Sequence, residues 1–203
     1  MFLSTSAARA LAMMSLTWAT GAAQGLHPQF GVAVGMSVPV SDYHATPSGQ
    51  GFNTAWQGLA FVALKPPILP VGLRVDATYG ANSANDRLKS DLTTALGRPS
   101  DEKTKLLGAS LSVWYQSSSL ARVKPYVIGG IGLYHTTISV SSGGSTTDNA
   151  ATKLAWNLGG GLDCGLRGIA LFFEARYVNI AAVSGFPRTT FLPITAGVRF
   201  GGR

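Results

Sequence analysis

Few residues in this chain have the types and spacing for covalent chemistry. The histidines are His27, His44 and His135, and only His135 has hydroxyls close by, in Thr136, Thr137 and Ser139. Nucleophilic catalysis needs a base within reach of the hydroxyl and a third group that orients the base. On an extended chain Thr137 shares a face with His135, but no acidic residue is at hand to orient the imidazole. No catalytic residue is therefore assigned, and the chain is not read as an enzyme. The runs GGIG (129–132) and GGG (159–161) lie inside apolar alternations rather than ahead of a helix, so they are not phosphate-binding loops. Close packing inside a narrow lumen is the simpler reason for them. No cofactor and no metal site is expected. The single Cys164 excludes a disulfide framework and is expected to be a small buried hydrophobe.

The spacing that does carry information is that of opposite charges two residues apart. In Val71 to Tyr79, VGLRVDATY, the odd positions are apolar or aromatic while Arg74 and Asp76 share the other face. In Leu171 to Tyr177, LFFEARY, Glu174 and Arg176 repeat the arrangement. The same parity places Asp163 and Arg199 on that side of their own strands, so three cations meet three anions. Ions withdrawn from water stay charged cheaply only when paired, and a neutral network is what a filled lumen requires. The alternative chemistry is an ion or substrate path. The little room inside eight strands favours the structural plug.

These residues need strands to position them, and the chain supplies eight. Phe30 to Val40 alternates most clearly, with Phe30, Val32, Val34, Met36 and Val38 on one face and Gly31, Ala33, Gly35 and Ser37 on the other. The others are about Ala55 to Leu64, Val71 to Tyr79, Leu106 to Gln116, Lys124 to Ile138, Leu154 to Cys164, Ile169 to Val178 and Phe191 to Phe200. In the second, Leu59, Phe61 and Ala63 are assigned to the apolar face. Connections alternate in length: Ser41 to Thr54, Ala81 to Lys105, Ser139 to Lys153 and Asn179 to Thr190 are long, and those between are short. A short helix is expected around Ser90 to Leu96. An even-stranded antiparallel barrel with one rim of long loops predicts this alternation, whereas a soluble sandwich does not.

Composition decides which face is inside. Only 12% of residues are charged while 46% are hydrophobic, and soluble domains carry roughly 25% charged residues. Beyond the N-terminus no apolar run reaches the ~18 residues of a membrane-spanning helix. A closed barrel is the other structure that satisfies every backbone polar group in hydrocarbon. Strands of about 10 residues tilted by roughly 40° cover the ~25 Å apolar band of such a barrel. The expected fold is thus an all-β, eight-stranded, antiparallel up-and-down transmembrane barrel, with its small residues and its charges inside. Turned inside out, the chain would be a soluble periplasmic lipid carrier, and the scarcity of Lys on its watery face would then be unexplained.

Residues 1–23 read as a secretory signal peptide, with one charge at Arg9, the apolar stretch Ala10 to Ala19 and the small residues Gly21, Ala22 and Ala23. Residues 24–203 form the barrel domain. The 16 basic and 9 acidic residues give a net charge of +7, spread too thinly for nucleic acid. Tyr79, Tyr115, Trp156 and Tyr177 lie near strand ends, either as interfacial girdles or as ordinary strand aromatics. Lys65, Arg122, Lys124 and Arg167 lie at short turns, facing either lipid phosphates or plain solvent.

The signal peptide, PYVIGGIGLY (Pro125 to Tyr134), LFFEARY and the closing ITAGVRF together resemble the small eight-stranded outer-membrane barrels of Gram-negative bacteria, the OmpA/OmpX-like group. The resemblance spans roughly residues 26 to 200. It implies the cell outer membrane as location, outer-membrane lipids and lipopolysaccharide as surroundings, a monomer, and assembly by the outer-membrane insertion machinery. That machinery reads a terminal aromatic, here Phe200; Gly201, Gly202 and Arg203 follow it, a departure from the family's pattern. Long external loops imply a structural or surface-interaction role. Some similar barrels modify lipid A, and here that alternative would fall on His135, with Thr137 where the family has a catalytic serine.

Overall fold

The computed structural model describes residues 27–40, 53–66, 69–84, 86–97, 100–117, 122–142, 145–166, 168–183 and 187–201. The signal-peptide reading, His44 and Arg167 lie outside them. Eight antiparallel strands pair with their sequence neighbours and the first closes on the last. They are β1 (His27–Pro39), β2 (Ala55–Lys65), β3 (Val71–Ser83), β4 (Ser100–Gln116), β5 (Val123–Ser142), β6 (Ser145–Gly165), β7 (Ile169–Ile180) and β8 (Thr189–Gly201). Closure leaves no free edge along the seam, where Phe30 pairs with Phe200 and Val34 with Ala196. No helix among the described residues is long and apolar enough to cross a membrane.

Two-residue alternation is what makes these segments strands, and it sorts their side chains between two very different faces. Outward residues such as Val34, Ile131 and Leu158 leave 72%, 62% and 61% of their surface uncovered. Inward positions carry the polar and charged residues with small or aromatic partners. A soluble fold does not expose so continuous an apolar belt.

Cross-strand register shows how the interior is filled. Phe61 pairs with Gly31, Trp114 with Gly72, Tyr134 with Gly108 and Tyr126 with Gly161. Each inward ring lies over the glycine beside it, in space that a Cβ at that glycine would occupy. Large side chains in a narrow barrel therefore lean sideways along the wall.

Several expectations change, among them the connection Ala81 to Lys105, which shortens because β3 runs to Ser83 and β4 begins at Ser100. In β2 the inward residues are Leu59, Phe61 and Ala63, and Trp56, Val62 and Leu64 face out. Both faces of this strand are apolar, so composition carried no parity, and the place of Phe61 over Gly31 fixes it. The connection Ser139 to Lys153 is mostly a hairpin, since β5 and β6 stay paired up to Ser142 and Ser145. It projects about ten residues past the point where β6 meets β7, at Ala155 and Ile180. Cys164 is only half-buried and sits on the outward side, between Val123 and Leu171.

The helix between β3 and β4, α1 (Asp86–Leu96), is longer than the sequence suggested and packs on β4. Asp86 in its first turn complements the helix dipole. Gly97, with φ 64°, adopts the left-handed conformation that ends it.

Candidate functional site

β3 and β7 lie four strands apart in an eight-stranded ring, so they form opposite walls. Each carries one Arg and one acid on its inward face, and the four side chains meet across the lumen. Arg74 donates through Nε to Asp76 Oδ1 at 2.6 Å and through Nη1 to Glu174 Oε2 at 2.8 Å. Arg176 donates through Nε to Glu174 Oε1 at 2.7 Å and through Nη1 to Asp76 Oδ2 at 3.0 Å. Every member touches both opposite charges, and the ring sums to zero. Asp76 and Glu174 keep 1% and 2% of their surface exposed. A buried carboxylate pair is tolerable only with this degree of compensation.

Neighbouring strands complete the ring. Tyr126 donates its hydroxyl to Glu174 Oε2 at 2.8 Å, and Ser110 and Ser112 donate to Asp76 Oδ2, each at 3.4 Å. Phe61 stacks on the Arg74 guanidinium, 3.6 Å from carbon to ring centroid, and Phe172 lies at 5.9 Å. Phe61 and Phe172 themselves meet edge to face at 5.5 Å. A guanidinium held between aromatic faces and two carboxylates has its plane and its position fixed.

Asp163 and Arg199 do not join this ring. They pair with each other nearer the short-turn end, where Gln116 donates to Asp163 Oδ2 at 3.0 Å and Arg199 Nη1 donates to Gln29 Oε1 at 2.6 Å. Lys65 and Arg199 both approach the ring of Trp114, at 5.4 Å and 5.8 Å. The six charges are thus a quartet and a separate pair. A cavity of about 20 Å³ lies between them, and one of about 10 Å³ lies beyond the quartet on the other side. Each has room for about one water. Past the quartet, toward the long connections, the interior turns apolar again, with Leu106, Tyr134, Val178, Ile180 and Phe191 packed together.

Sequence reasoning placed the six charges on the inner face but missed Phe61, Tyr126, Gln29 and Gln116. Their roles follow from register, which a single sequence does not print.

His135 points outward on β5 and its Nδ1 lies 3.1 Å from Thr152 Oγ1 of β6, rather than against Thr137. No carboxylate approaches the imidazole among the described residues, and none of their His, Cys, Asp and Glu groups could hold a metal ion. Tyr79, Trp156 and Tyr177 lie toward the long-connection end, where Trp56 meets Tyr79 at 5.4 Å and Trp156 meets Tyr177 at 5.5 Å. Tyr115 lies at the opposite end. Arg122 and Lys124 are exposed beside the short turn that precedes β5, whereas Lys65 leans into the mouth of the lumen. Phe200 faces outward next to Phe30 and Ile169.

A family model described as outer membrane protein beta-barrel domain matches residues 8–200. No curated protein sequence matches the chain. Among solved structures, Neisserial surface protein A is 20% identical with a TM-score of 0.54, covering 87% of this chain and 97% of its own. A major outer membrane protein from Thermus thermophilus is 12% identical with a TM-score of 0.66, covering 88% of this chain and 100% of its own. The attachment invasion locus protein Ail of Yersinia pestis is 13% identical with a TM-score of 0.54, covering 86% and 98%. At these identities the likeness concerns the fold.

Proposed function

From the premise that the chain belongs to the outer membrane protein beta-barrel domain family, we propose that it is an integral barrel of the cell outer membrane whose lumen passes no solute. Its role is structural or one of surface interaction, carried by the connections at the long-loop end. The observation that supports this is the Arg74–Asp76–Glu174–Arg176 ring, which spans the lumen from wall to wall. A conducting pore would need a continuous water path through the lumen. Here every charge of the ring has two partners, and the cavities beside it have room for about one water each.

The same reading extends to export and assembly. A cleavable signal peptide over residues 1–23 delivers the chain, and the outward Phe200 of β8 is the aromatic offered to the insertion machinery. The barrel works as a monomer among outer-membrane lipids and lipopolysaccharide. No catalysis is assigned, because His135 has a threonine beside it and no orienting acid among the described residues.

The test is electrical. Purified, refolded barrel inserted in a planar bilayer is expected to show negligible conductance. A stable, large single-channel conductance would overturn the proposal. Release of the protein from cells without detergent would overturn the membrane location and favour the soluble carrier instead.

A further inference from the structure

The short-turn mouth of the lumen carries more positive charge than it balances. The ring of four sums to zero and Arg199 is paired with Asp163, but Lys65 and Lys124 have no carboxylate partner among the described residues. Both stand on the inward parity of their strands, two residues after the buried Ala63 and two before the buried Tyr126. The short connections 66–70, 117–122 and 166–168 contain no acidic residue to offset them. Lys65 Nζ lies 5.4 Å from the centre of the Trp114 ring and the Arg199 guanidinium 5.8 Å from it, so two cations converge on one indole. Behind them is the cavity of about 20 Å³, with Gln29, Arg74, Trp114, Asp163 and Arg199 in its walls. Two of these residues hold stranded donors: Trp114 Nε1 and Arg199 Nε are buried with no hydrogen-bond partner, and Trp114 is only 5% exposed. No acceptor is stranded in the same walls among the described residues.

We propose that this cavity binds one monatomic anion of the halide class, held by Arg199 Nε and Trp114 Nε1 and drawn in past Lys65 and Lys124. Charge selects the sign of the ligand. Between the ring and the mouth the inward face holds Arg199, Lys65 and Lys124 against Asp163 alone, and a low-dielectric cleft with an excess of one sign concentrates counter-ions. Donor chemistry selects an anion over water. A buried water is held by donors and acceptors together, whereas the stranded groups here are both N–H donors, and Gln29 Oε1 and Asp163 Oδ2 already accept from Arg199 and Gln116. Size selects a single atom, since room for about one water admits a halide and excludes a four-oxygen anion. The bound ion ties β8 to β4 across the lumen and closes its short-turn end, as the charge ring closes its middle. The inference stands apart from the surface role proposed above and needs only the closed barrel.

The test uses the full refolded barrel and bromide as the probe. Crystals grown in sodium bromide are expected to show an anomalous peak in this cavity, beside Arg199 Nε and Trp114 Nε1. Density there without anomalous signal is water, and would overturn the site. In lipid vesicles at constant ionic strength, replacing gluconate by bromide is expected to raise the urea midpoint along a saturating curve. Trp114→Phe keeps a ring and drops the donor, and is expected to raise the bromide concentration for half the effect about tenfold. Lys65→Gln with Lys124→Gln leaves both direct donors and the interior packing in place, and is expected to raise it about fivefold. Lys105→Gln, on the outward face at the opposite end, leaves it unchanged. Equal midpoints in gluconate and bromide, or a bromide response undiminished in both the Trp114 and the Lys65/Lys124 variants, would overturn the proposal.

Discussion

Tyr126 and Glu174 meet although the strand β6 runs between theirs: the phenol crosses over Gly161, which is paired with both residues, and donates to the carboxylate at 2.8 Å. Glycine is required at that point because a Cβ on Gly161 would press on the Phe173 carbonyl oxygen and on the Tyr126 ring. Tyr126→Phe removes a bond to a buried charge and is expected to lower folding stability by about 1.5–3 kcal/mol. Gly161→Ala is expected to cost at least as much, and to cost nearly the same once Tyr126 is already Phe, because the ring and the Phe173 carbonyl oxygen both remain in the way. A double-mutant cycle on urea unfolding midpoints in lipid vesicles checks that the two losses are close to additive.

Removing one charge from the ring should be far worse than removing all four. Glu174→Gln leaves two buried guanidinium groups facing a single carboxylate, and a loss of about 3–5 kcal/mol is expected. Replacing Arg74, Asp76, Glu174 and Arg176 together by apolar residues of similar volume should restore most of it. The checks are urea midpoints and heat-modifiable gel migration of both variants.

The outward face makes a separate prediction. Leu158 lies near mid-belt on β6, and Leu158→Arg is expected to destabilise the vesicle-inserted barrel by about 2–4 kcal/mol. Val123→Arg, at the start of β5 near the short-turn rim, should cost about 0–1 kcal/mol. Equal, small effects at the two sites would contradict a bilayer around the belt.

The β5–β6 hairpin contributes nothing to the ring or to the seam. Deleting residues 139–148 and joining Ile138 to Asn149, which are register partners, through a Gly-Ser linker should therefore leave the barrel intact. Fast migration of the unheated sample and slow migration after boiling would show it.

Much of this was legible in the chain because lipid imposes one rule on one face. β1, β3, β4 and β6 to β8 reveal their parity, since small, polar and charged residues alternate with apolar ones. β2 does not, because Leu59, Phe61 and Ala63 are as apolar as Ala60, Val62 and Leu64. The projecting hairpin was hidden for the opposite reason: beyond the membrane neither face of STTDNAAT meets a core, so no alternation is written there. The charges were visible as a set of six, but their division into a quartet and a pair depends on height in the barrel. Height comes from register and stagger, which emerge only when all eight strands are aligned.

The ring also bears on the order of assembly. Its four charges come from strands a hundred residues apart, on opposite walls. A sheet built only from β1 to β6 would hold Arg74 and Asp76 but neither Glu174 nor Arg176, and no partial sheet can lay its two walls against each other. The neutral ring therefore forms late, when the circumference is nearly complete, and until then its carboxylates and guanidinium groups are better solvated by water than by hydrocarbon. In this way the chain carries its own penalty on premature burial: a half-built wall keeps one side wet, and the interior dries when the last strand reaches the first.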